Sequence, residues 1–129
     1  MMTGRLTLTQ LPETMAISRL ESDSAIPSWA LSGEFISITR TTDELSIVCN
    51  QEHVPQGIKC EKGWRCLKLE GPLDLSLIGI LAALLNPLAE AGVSIFALST
   101  FDTDYILVKE EKLEEAAQVL SRAGHHLVS

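Results

Sequence analysis

LEGPLDLSLIGILAALLNPLAEAGVSIFALSTFDTDYILVKEE, residues 69–111, decides the fold. It reads as the end of a strand, a loop, an apolar helix, a strand, a tight turn and another strand. Leu77, Leu81, Leu84 and Leu88 recur at three- and four-residue spacing, with Ile80 and Leu85 beside them, which is the period of one helix face. Asp74 or Ser76 is placed to cap the helix by accepting an orphan backbone N–H. Gly92 stands where a left-handed residue ends a helix. Pro87 lies inside the pattern and predicts a kink or a break of register near Asn86. Ser94–Ser99 (SIFALS) and Asp104–Lys109 (DYILVK) are β-rich runs separated by TFDT, a hairpin signal.

Outward from this stretch, Leu113, Ala116, Ala117, Leu120 and Ala123 mark a second amphipathic helix. Glu110, Glu111, Glu114 and Glu115 gather at its N-terminal end, where the helix dipole favours anions. Gly124 ends it, and His125–Val128 reads as a last short strand. With Trp64–Glu70 in front, the order is βαββαβ, an α+β, ferredoxin-like plan. The expected sheet has its first and third strands at the centre and its second beside the first, at an edge.

The N-terminal half holds shorter elements. Arg5–Gln10 and Met15–Leu20 alternate and are split by Leu11-Pro12-Glu13, which predicts a hairpin. Pro27 is placed to start a turn or two of helix at Ser28–Leu31. Phe35–Thr41 and Leu45–Cys49 read as strands around a turn at Thr42-Asp43. His53–Gln56 is at most a turn of helix, and Lys59–Glu70 is one strand or two, interrupted at Gly63. Leu20-Glu21-Ser22 matches Leu69-Glu70-Gly71 at an offset of 49, and Phe35–Val48 matches Ile95–Val108 at an offset of 60. The chain therefore reads as two tandem units, residues 1–63 and 64–129, the first with both helices cut down. A repeat of this kind buries faces that neither half could bury alone.

Composition narrows the function. The chain has 129 residues, a net charge of −7 and 46% hydrophobic residues. That charge argues against nucleic acid, whose phosphates demand clustered Lys and Arg. The longest apolar stretch, Leu77–Leu85, is too short to span a bilayer, so no membrane partner is expected. Cys49, Cys60 and Cys66 form an odd set without CxxC spacing, which fits a reduced, cytoplasmic setting rather than a disulfide framework. MMTGRLTLTQ carries no apolar run, and no signal peptide is expected. No catalytic motif is present: there is no GxSxG, HExxH or phosphate-cradling glycine loop. His125-His126 alone is too compact for a metal site, and His53 stands seven residues before Cys60, outside zinc-motif spacing. Neither a cofactor nor a metal is expected.

EGPLDLSLIGILAALLNPLAEAGVSIFALSTFDTDYILVKEE resembles the ACT-domain proteins, in particular the small bacterial tandem-ACT group related to the arginine-sensing CASTOR proteins. The likeness is strongest over Trp64–Gly124 and extends more weakly to ALSGEFISITRTTDELSIVC, Ala30–Cys49. STFDTDYILVK is its specific part. The resemblance implies a regulatory module that binds an amino acid at an interface between domains or subunits, without catalysis of its own. ACT domains are commonly fused to metabolic enzymes, and no catalytic domain is present here. A homodimer and a regulated protein partner are implied with it.

The chemistry of a free amino acid suggests how such a site would work. Its carboxylate needs backbone N–H donors, which a helix N-terminus supplies, and Gly71 lets the backbone come close. Its ammonium, or a cationic side chain, needs acidic groups, and Glu70, Asp74, Asp102 and Asp104 lie near the two loops in sequence. The resemblance carries ligand contacts onto Thr100, Phe101 and Asp104, and with less weight onto Leu73, Asp74 and Leu75 beside Gly71. Ordinary structural roles stand beside these. Asp74 serves first as a plain N-cap, a role compatible with ligand contact, turn chemistry accounts for Asp102 and Thr103, and Phe101 is either a pocket wall or core. Asp104 opens a strand, a place Asp disfavours. Two other functions remain open: a ligand-free oligomerisation or interaction module, and a small enzyme with an intersubunit site.

Overall fold

The structure is a computed structural model that describes residues 5–71 and 79–129. Its strands are β1 (Thr7–Leu20), β2 (Ser37–Arg40), β3 (Leu45–Asn50), β4 (Lys59–Leu69), β5 (Ile95–Ser99), β6 (Asp104–Lys109) and β7 (His126–Val128). Its helices are α1 (Ile80–Glu90) and α2 (Leu113–Arg122). Short 3-10 turns stand at Ser28–Leu31, Gln51–His53 and Glu110–Lys112. The chain divides into two compact units: Glu13–Trp64, and Arg65–Ser129 together with the N-terminal segment that ends at Pro12. β1 and β4 each give residues to both.

In the larger unit the sheet runs β7-β1-β4-β6-β5. One face is covered by the two helices. Leu84 and Leu88 of α1 and Ala116, Val119 and Leu120 of α2 pack on Leu8, Leu67, Leu69, Ile106 and Val108. These strand residues alternate along β4 and β6, so one face of each strand feeds the core. The sheet order corrects one expectation: β5 lies at an edge beside β6, not beside β4. A hairpin of two β-rich runs keeps its strands together, with Ile95 opposite Val108 and Ser99 opposite Asp104. β7 pairs in parallel with Thr7–Thr9 of β1. The N-terminal half of β1 has taken the place next to β4, where the Glu70 N–H donates to the Thr7 carbonyl at 2.8 Å.

α1 runs through Pro87 without the expected break of register. The Ala91 N–H reaches the Pro87 carbonyl at 3.1 Å, an ordinary i→i−4 bond. Proline's fixed φ suits a helix, and what the helix loses is one donor. Both helices end alike. Gly92 and Gly124 have φ of 78° and 95°, and the next residue's N–H reaches back five positions, Val93 to Leu88 and His125 to Leu120, each at 2.9 Å. This Schellman closure needs a left-handed residue, which glycine supplies without strain.

In the smaller unit β3 lies between β2 and β1, and β1 lies beside β4. Ala16, Leu45, Ile47 and Cys49 form the core, with Ala30 of the first 3-10 turn and Val54, and Trp29 packs against it. The two helices of the larger unit have counterparts here no longer than 3-10 turns. β1 is one strand of 14 residues, where a hairpin at Leu11–Glu13 was expected. Pro12 does not break it, because strands tolerate proline where no ladder N–H is required. β4 is likewise one strand through Gly63.

Candidate functional site

The turn between β5 and β6 is built from its own sequence. The Thr100 N–H donates to the Thr103 carbonyl at 2.8 Å, and the Thr100 hydroxyl receives the Thr103 N–H at 3.3 Å. The β2–β3 turn repeats this: the Thr41 N–H donates to the Glu44 carbonyl at 2.9 Å, and the Thr41 hydroxyl receives the N–H groups of Asp43 and Glu44 at 3.1 and 3.2 Å. Both turns read T-x-D, and a threonine hydroxyl closing on its own turn is a known local device.

Strand register then fixes how the repeat aligns. Arg40 faces Leu45 as Ser99 faces Asp104, so the hairpins superpose at an offset of 59, not 60. The difference matters because a one-residue slip moves every side chain to the other face. At 59, Ile47 and Cys49 fall on Ile106 and Val108, and all four are core residues.

The two turns differ at their last positions. Thr103 stands where the first turn has Glu44, and Asp104 where it has Leu45. Thr103 is 5% exposed and donates its hydroxyl to the Leu69 carbonyl at 2.6 Å. That bond fastens the turn to the end of β4, two residues before Gly71, within a single chain. Beside it, Thr9 donates its hydroxyl to the Glu70 carboxylate at 2.5 Å. Asp104 is half-buried and accepts the Ser99 hydroxyl at 2.6 Å from directly across the ladder. This cross-strand bond accounts for how a strand accepts an aspartate at its first position. Phe101 is neither core nor covered within the chain: it is 81% exposed at the turn's tip. Gly71 is exposed, and Leu73, Asp74 and Leu75 lie outside the described residues.

Sequence reading thus placed Thr100, Phe101 and Asp104 on one turn and Gly71 at the end of the strand it is tied to. It missed Thr103, which it assigned to turn chemistry, and Ser99. The contrast of TTDEL with TFDTD at an offset of 59 held the signal: the same turn forms with Glu44, so the turn alone does not call for a buried threonine.

Among the described residues no group of three or more His, Cys, Asp or Glu is arranged to hold a metal ion, and no helix is long and apolar enough to cross a membrane. The cysteines are free thiols. Burial pushes the Cys66 thiol up to about 12. Cys49 is raised by burial first, then by the Glu13 carboxylate and Cys60.

The family model for the ACT domain matches residues 59–122. The chain belongs to the ACT-domain family. A second family model, for an N-terminal domain, matches residues 13–57. The chain is similar to the cytosolic arginine sensor for mTORC1 subunit 1 of Homo sapiens, 37% identical over 67 residues. These are 51% of this chain and 20% of the human protein, so the match spans about a fifth of the curated relative's length. A solved protein of Agrobacterium tumefaciens is 44% identical, with a TM-score of 0.93 over 98% of this chain and 94% of that one. The regulatory subunit of aspartate kinase from Thermus thermophilus shares the fold at 13% identity, with a TM-score of 0.57 over 86% of this chain and 93% of that one. The ACT fold seen here is thus one that a regulatory subunit of aspartate kinase shares.

Proposed function

We propose that the chain is a regulatory module that binds a free amino acid at the β5–β6 turn, at an interface between domains or subunits, and acts without catalysis of its own. The observation that carries this reading is the bond from Thr103 to Leu69. It ties the turn that carries Thr100, Phe101 and Asp104 to the end of β4, two residues before Gly71, which supports a site at that turn. Asp104 supplies the carboxylate for an ammonium or a cationic side chain. The human relative is named an arginine sensor, which makes arginine the first ligand to try. The module works in the cytoplasm as a homodimer that passes its state to a protein partner.

A thermal-shift screen of the common amino acids tests this. At about 100 times its dissociation constant, a ligand that binds only the folded state adds roughly 2.7 kcal/mol. For a chain of this size that raises the melting temperature on the order of 10 °C. If no amino acid shifts the melt at millimolar concentration, the reading fails. The second reading, a ligand-free interaction module, is favoured by one feature: a phenylalanine 81% exposed at the tip of the turn is the kind of side chain a protein partner covers.

A further inference from the structure

The C-terminal ends of α1 and α2 meet at a groove of about 620 Å³ that the turn site does not use. Its wall is one face of α1, Ala82, Ala83, Asn86, Pro87 and Glu90, and its far end is Ala123, Gly124 and His125, with Arg5 on the remaining side. The volume lies within the ~300–1,000 Å³ typical of small-molecule sites. Small residues keep it open. What distinguishes it is polar groups whose bonding is unspent.

Pro87 has no N–H, so the Ala83 carbonyl, four residues earlier, lacks its helical donor. Both residues line the groove. Glu90 adds a carboxylate one turn further along the same face. These are acceptors, and Glu90 stands in the last turn of α1, where the helix end adds negative potential. Arg5 and His125 are the donors. His125 is 7% exposed, placed by the Gly124 closure, and its Nδ1 accepts the Leu6 N–H at 3.1 Å. That bond leaves Nε2 to carry the proton. Arg5 and Glu90 face the same groove yet form no ion pair with each other or with any other described residue.

Two opposite charges flanking one groove without touching, each with a second group of its own kind, match a ligand that carries both charges. We infer that this groove is a second site, for a small zwitterion of the α-amino-acid type. Its ammonium is held by Glu90 and the Ala83 carbonyl, and its carboxylate by Arg5 and His125 Nε2–H. Asn86, which can donate and accept, stands on the wall between them. The site is independent of the turn at Ser99–Asp104.

Backbone-amide NMR separates the two sites. Each common amino acid is added at millimolar concentration to the full chain, with propionate and ethylammonium as controls that carry one charge each. The expected result is shifts at Ala82, Asn86, Gly124 and His125 with at least one amino acid, and weaker or no shifts with either control. Arg5→Gln and Glu90→Gln, both at exposed positions, should each lower that affinity about tenfold or more while leaving the melting temperature in place. Shifts confined to Ser99–Asp104 would overturn the second site and leave the turn reading standing. Groove shifts that survive both substitutions, or that propionate reproduces in full, would overturn it as well. Shifts nowhere would overturn both.

Discussion

Asp104 shows how far a single residue can be read. An aspartate at the first position of a β-rich run is visible in the sequence as an anomaly, and the turn before it suggested a ligand. What the sequence hid was its neighbour across the ladder: Ser99 satisfies one carboxylate oxygen, so part of the anomaly is structural. The ligand role therefore needs a separate test. Asp104→Ala should cost about 2–5 kcal/mol of amino-acid binding if the ligand's charge is left desolvated and alone, while folding changes far less. Calorimetric titration beside a melting curve reads both. Intact affinity would leave Asp104 a strand-end residue. Cys66 allows a sharper prediction. Its thiol is pushed from 9.0 to about 12 by burial, so the folded chain resists its ionisation and the unfolded chain does not. The stability this protects is complete below about pH 9 and drains away as pH climbs toward 12. Melting temperature followed over that range should fall less steeply for Cys66→Val than for the parent, whatever the offset between the two curves. Equal slopes would mean the thiol does not ionise on unfolding.

Among the elements, those with a strong period were legible and those fixed by a partner were not. α1 and α2 announced themselves through leucine and alanine spacing, and the hairpins through β-rich runs about a T-x-D turn. The long β1 did not, because Leu11-Pro12-Glu13 carries local turn chemistry that pairing along the strand overrides. The order of strands was also hidden, since nothing local says that the start of the chain will lie beside β4. The alignment of the repeat missed by one residue for a similar reason: hydrophobic β-runs tolerate a slip in sequence that ladder hydrogen bonds do not. The paired hairpins now act as a built-in control. Both turns close through their first threonine, but the first is held to β1 by Arg19, which donates to the Asp43 carbonyl at 2.9 Å, and the second to β4 by the buried Thr103 hydroxyl. Thr103→Val should cost about 1–3 kcal/mol, because it keeps the shape and strands the Leu69 carbonyl. Thr103→Ser should recover most of that, and Glu44→Val should cost much less. Urea denaturation of the three variants checks the ranking. A Thr103→Val variant as stable as the parent would remove the tie from the account of the site.

At the scale of the whole molecule, Ile26, Leu31, Ile36 and Val128 join Phe101 as exposed large apolar side chains, the kind a second copy of the chain would cover. A homodimer is expected, and light scattering at tens of micromolar should return twice the chain mass. A monomer would count against it. Sequence composition held that expectation in outline, while which apolar residues stay outside required the fold. The strand shared between the units has one more consequence, and it concerns time. A ribosome delivers Thr7–Thr9 first, yet their parallel partner, His126–Val128, arrives more than a hundred residues later. Met15–Leu20 waits only for Leu45–Asn50. The two halves of one strand are thus completed at well-separated stages of synthesis. Glu13–Trp64 can close early, and the N-terminal half of β1 keeps one strand edge open until β7 emerges. Contacts of such separation are the slow ones to form. Nascent chains halted before β7 should therefore protect the Ile17 and Val48 amides from exchange and leave Leu8 unprotected.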